Sequence, residues 1–128
     1  MAKFTPDATL DAMLDVLADN CDRVDVCSTQ PTTYAEATST YTLGNYTLTA
    51  GAGGGDWVIA DGDSSGRKLT LQAQTGNNAT ASGTALHLAF TNGTDTLYHV
   101  TTVTSETTNS GSPLDISAVD VAEISDVA

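Results

Sequence analysis

Leu86-His87-Leu88-Ala89-Phe90-Thr91-Asn92-Gly93-Thr94-Asp95-Thr96-Leu97-Tyr98-His99-Val100-Thr101-Thr102-Val103 is the stretch that decides the fold. Leu86, Leu88 and Phe90 recur at every second position, the period of a strand with one buried face. Asn92-Gly93 makes the turn, since Asn and Gly accept the left-handed backbone that tight hairpins require. Leu97 to Val103 then returns as the second arm.

The same pattern repeats on both sides of this hairpin. Candidate strands are 41–49, 56–61, 67–74, 84–91, 96–104 and 114–124. Runs of Gly, Asn, Asp and Ser separate them, among them Asp61-Gly62-Asp63-Ser64-Ser65-Gly66 and Asn109-Ser110-Gly111-Ser112-Pro113. Arg23-Val24-Asp25-Val26-Cys27-Ser28 alternates like a half-buried strand, and Gln30-Pro31 breaks it. Residues 32–38 read as a short helix or a loop. Gly51-Ala52-Gly53-Gly54-Gly55 reads as a surface loop, of a kind that contact with a partner would order. Short strands at regular spacing predict a mainly β fold, a β-sandwich or open barrel.

The N-terminus has a different period. Thr5-Pro6 opens a helix, a hydroxyl cap followed by proline at the first helical position. Asp7 and Asp11 lie in the early turns, where the helix dipole favours negative charge. Leu10, Met13, Leu14 and Leu17 then form an apolar stripe, and Asn20 is the stop. The expectation is one N-terminal α-helix over about residues 6–19, covered by a sheet or a neighbouring subunit. With a β-rich body over 23–128, residues 1–128 make a single domain.

Composition narrows the function. The chain has 128 residues, enough to bury roughly two-thirds of its unfolded surface without a disulfide or metal staple. Aromatics make up only 5%, so small and β-branched residues must build the core, which suits thin sheets better than a ring-lined pocket. Sixteen acidic residues face four basic ones (Lys3, Arg23, Arg67 and Lys68), for a net charge of −12. That balance argues against nucleic acid and against an anionic membrane surface, and it favours solubility. No stretch approaches the roughly 20 apolar residues of a membrane span. Met1 to Asp7 lacks the apolar core of a signal peptide, so synthesis and retention in a cytoplasm are expected.

Few residues carry chemistry. Cys21 and Cys27 lack metal-ligand spacing and are expected as buried free thiols. His87 and His99 lie on the two hairpin arms without a third placed ligand. Asp61, Asp63 and Ser65 reproduce the first half of a calcium loop, with Gly66 at the sixth position. Its twelfth position, however, is Gln72 rather than a bidentate Glu, and a plain turn selects the same residues. No nucleophile elbow, tuned acid pair or phosphate-binding loop is present, so no enzyme activity, metal or cofactor is expected. Candidates for protein contact are Phe4, then Leu10, Met13 and Leu17 on the helix, Trp57, and Leu114 and Ile116 in the C-terminal part. Trp57 with Tyr46 would also serve as an aromatic platform in a carbohydrate-binding module.

Met1-Ala2-Lys3-Phe4-Thr5-Pro6, Cys27-Ser28-Thr29-Gln30-Pro31-Thr32-Thr33-Tyr34-Ala35-Glu36-Ala37, Ile59 through Thr70 and the acidic stretch Leu114 to Val127 resemble small virion structural proteins of tailed bacteriophages. Size, acidity and Thr/Gly/Ala-rich β character are most similar to a capsid decoration (cement) protein. The resemblance implies a virion component made in the host cytoplasm and placed on the capsid surface. Its implied partners are the major capsid protein and further copies of itself, a trimer being favoured. A tail or head–tail connector part is the alternative within the same resemblance, and a tail-fibre carbohydrate-binding module is another.

Overall fold

A computed structural model describes residues 6–63 and 66–124. Helix α1 (Asp7–Asn20) leads into β1 (Arg23–Cys27), and a π-helical turn (Glu36–Thr40) precedes β2 (Thr42–Thr47). β3 (Trp57–Asp61), β4 (Arg67–Leu71), β5 (Gly83–Thr91), β6 (Leu97–Thr108) and β7 (Val119–Ile124) follow. One sheet has the order β2-β1-β5-β6 and the other β3-β4-β7, with every ladder antiparallel. The fold is therefore mainly β, an open sandwich with one N-terminal helix and, among the described residues, no closure into a barrel.

Register explains which side chains meet. Tyr46, Val24, Phe90 and His99 lie in one row across the first sheet, facing the second sheet. Trp57 and Leu71 pair on the second sheet, and both are fully buried. The Trp57 and Phe90 rings meet at 5.4 Å between centroids, tilted by 52°. The Trp57 indole N–H donates to the Cys21 carbonyl at 3.1 Å, so the polar edge of the ring is satisfied inside the core. With so few aromatics, this one contact anchors a core otherwise built from Leu, Val and Ala.

The helix completes the core from the side of β4. Leu10, Leu14 and Ala18 form its buried line, Leu17 is half-buried, and Met13 is 51% exposed. The apolar stripe is thus narrower than the sequence suggests, because successive steps of four residues set the line and Met13 falls beside it. Arg67 on β4 reaches back to the helix, its Nε 2.7 Å from Asp11 Oδ1. Pro6 occupies the cap position rather than the first turn, and its carbonyl accepts from the Leu10 amide. Thr5 lies outside the described residues. At the other end the Asn20 side chain donates to the Val16 carbonyl at 2.7 Å.

Three strand readings shift. β4 ends at Leu71, β6 continues to Thr108, and residues 114–118 precede β7 as an extended segment held by isolated bridges Gln74↔Ile116 and Asn78↔Pro113. In the hairpin, Ala85 faces Glu106 while His87 faces Thr102, so residues 103–105 stand opposite Leu86 alone. This bulge changes the phase of β5: Ala85 joins Leu88 and Phe90 in the core, and Leu86 is exposed. The connection spans residues 92–96, and Asn92 Oδ1 holds it by accepting from the amides of Thr94, Asp95 and Thr96.

Residues 32–38, open between helix and loop, end in the π-helical turn. It lies over the outer face of the first sheet, where Ala37 packs on Cys27 and Ala89. β1 is consequently buried on both faces instead of one.

Candidate protein-contact site

The site follows from how the four sheet edges are finished. An unpaired edge exposes a row of N–H and C=O groups, and most proteins cover or blunt it. The edge of β2 is covered by the chain after β4. The Thr80 amide donates to the Leu43 carbonyl at 2.8 Å, and the Asn77 side chain donates to the Asn45 carbonyl at 2.9 Å. The edge of β3 is met by the glycine-rich loop, whose Gly53 amide donates to the Trp57 carbonyl at 2.9 Å. Among the described residues, β6 and β7 make no backbone hydrogen bond beyond their own ladders.

One side-chain hydrogen bond links these two edges. His99 of β6 places Nε2 3.0 Å from the carbonyl oxygen of Val121 on β7. Next to this bridge the sheets part, leaving a cleft of about 450 Å³ between the second half of β6 and residues 112–119. Val26, Leu88, Leu114 and Ile116 form its apolar floor, Glu106 and Asp115 are acidic groups at its wall, and among the described residues no Lys or Arg lines it. Over residues 97–105 β6 carries no proline, no lysine and no acidic residue, and its protection against pairing is limited to the bulge at 103–105 and the register shift at Tyr98.

The sequence-derived contact candidates distribute unevenly. Leu114 and Ile116 reach the cleft, although both are mostly buried against their own core. Leu10 and Trp57 are internal and offer no surface. Leu17 is half-buried, Met13 is exposed near Val16 on the outer side of α1, and Phe4 lies outside the described residues. Tyr46 is 5% exposed and Trp57 is fully buried, so the aromatic platform is corrected: in a chain this poor in rings, both are needed inside. β6, whose edge is open among the described residues, is not among the sequence-derived candidates. Its signal was the long Thr-rich run without charge.

The remaining candidates bind their own chain. Asp61 Oδ1 accepts from Arg67 Nη1 at 2.7 Å, and Asp63 Oδ1 accepts from Lys68 Nζ at 2.8 Å. Ser65 lies outside the described residues, and among those described no cluster of three or more metal-ligating groups occurs. Arg23, Arg67 and Lys68 all sit in internal ion pairs, so the described cations form no free basic patch. His87 pairs in register with Cys27 on the outer face, whereas His99 pairs with Phe90 on the inner face. They cannot share a metal. The His87 Nδ1 atom is buried without a hydrogen-bond partner. Cys21 and Cys27 are free and buried, as expected. Burial pushes both thiols up to about 12, with Asp22 adding to the effect at Cys21 and Asp25 at Cys27.

Compared with family models, with curated proteins and with solved structures, the chain matches none.

Proposed function

We propose that this chain is a structural protein of a virus particle, a capsid decoration protein that binds the outer shell and stabilises it by contact rather than by catalysis. The observation that carries the reading is the open side of the sandwich, where among the described residues the outer edges of β6 and β7 are unpaired beside a cleft with an apolar floor. Such a side supports attachment to another polypeptide through main-chain hydrogen bonds and side-chain insertion. The charge of −12 supports the same role, because a protein made in many copies must stay apart from its fellows before assembly. The phage-like stretches supply the virion context.

Quantitative mass spectrometry of particles produced by the genome encoding this chain tests the reading. A copy number equal to that of the major shell protein, or a simple fraction set by the symmetry axes, is the expected result. A trace amount would instead support a tail or connector part, and complete absence would overturn the virion reading.

A further inference from the structure

We propose that β6 receives an extended segment of a partner protein as an added strand, its apolar side chains entering the cleft and its other side chains basic. This deepens the proposed function, since it names the mode by which the open side would bind. Three features lead to it. β6 is an edge strand without proline or lysine, so along its regular part, residues 99–102, its outward N–H and C=O groups match another extended backbone. A strand laid beside it projects alternate side chains toward Val26, Leu88 and Ile116 at the cleft floor. Among the described residues, the charged groups lining the cleft are Glu106 and Asp115, which select lysine or arginine on the incoming segment and disfavour acids.

Charge also decides between a foreign segment and a second copy. Another copy brings its own net charge of −12 and the same acidic wall, and like charges brought together oppose docking. A basic segment gains from both. Register with β5 is continuous over residues 99–102, between the bulge at residues 103–105 and a second shift at Tyr98, so pairing would start on residues 99–102, of which Thr102 borders the cleft.

The probe is a nine-residue peptide of alternating lysine and valine, blocked at both ends and dye-labelled for anisotropy. A second peptide with its central valine replaced by proline keeps the charge but cannot complete the ladder. The expected result is binding about tenfold or more tighter for the uninterrupted peptide, with slowed amide exchange in residues 99–105. Thr104→Pro should weaken binding by about tenfold with little change in Tm, since residue 104 has no register partner on β5. Glu106→Lys, on an exposed side chain, provides a second weakening variant that leaves the backbone intact. Equal binding of both peptides, no binding, or no protection in β6 would each overturn the proposal. Sedimentation showing a peptide-independent dimer that protects β6 would overturn it in favour of a second copy. A chain that binds no peptide but is counted in particles at shell stoichiometry overturns the strand mode alone and leaves the proposed function standing.

Discussion

Arg23 grips the wholly buried carboxylate of Asp25 with two parallel hydrogen bonds, Nε to Oδ1 at 2.7 Å and Nη2 to Oδ2 at 3.0 Å. The hydroxyl of Thr42 on β2 donates a third to Oδ2, also at 2.7 Å. A charge this deep is tolerated because its acceptor sites are filled and its partner is a planar fork. The group joins β1 to β2 on the sheet face that the π-helical turn covers. It ties the two strands together inside the domain.

Removing one member should therefore cost far more than a surface ion pair. Arg23→Ala leaves the carboxylate buried with Thr42 alone, and a loss of about 3 kcal/mol is expected. Arg23→Lys should recover only part of this, because an ammonium cannot reproduce the fork. Urea denaturation of the three chains checks both, and a loss near zero for Arg23→Ala would refute this account of Asp25.

The buried thiols give the protein an alkaline limit. In the unfolded chain each cysteine ionises around its ordinary value of 9.0, while the fold holds both thiols neutral up to about 12. The folded values are raised, so the stabilisation is fully present below 9.0 and is lost as pH rises from there through about 12. Thermal melts should be flat with respect to these two groups at neutral pH and should fall across that window. A thiol-specific reagent at pH 8 should label neither cysteine in the native chain and both in urea. Rapid native labelling would contradict the burial of Cys21 and Cys27.

Calcium should leave the protein unchanged. Arg67 and Lys68 already compensate Asp61 and Asp63, and a cation entering the loop would have to displace them. A scan of Tm with added calcium and then with chelator is expected to show no shift. A rise that grows with calcium concentration would mean the loop binds the ion after all, by the mass-action stabilisation of the folded state.

Much of this architecture was legible in the sequence, and the misreadings have definite causes. The order of helix and strands follows from the change of period at Arg23 and from the turn residues between strands. Leu86 was placed on the wrong face because a bulge is a relation between two strands, invisible in the alternation of either one. Asp25 looked solvent-facing because its cover comes from residues around the π-helical turn, whose conformation no local pattern announces. Trp57 and Tyr46 read as surface candidates because the sequence shows that rings are scarce but not which strand faces meet in the core, where both are placed. The open side was hidden for a further reason. An edge is defined by the neighbour it lacks, and strand order was not deducible from the chain.

Gly44 offers a test of how tightly the cleft floor is built. It lies opposite Val26 on the inner face of the first sheet, and a Cβ added there would stand 2.4 Å from Leu114 Cδ2 and 3.4 Å from the Ala79 Cα. Gly44→Ala must push the Leu114 side chain aside, and a cost of about 1–3 kcal/mol is expected from overpacking. Leu114→Ala alone removes buried methyl groups and should cost about 2–4 kcal/mol. In the double variant the new methyl occupies space that Leu114 has vacated, so the combined loss should fall short of the sum by about 1 kcal/mol or more. Denaturant melts of the four chains close the cycle. Strict additivity would mean that a methyl at position 44 does not reach Leu114, and that β2 and the segment before β7 approach each other less closely than the position of an added Cβ implies.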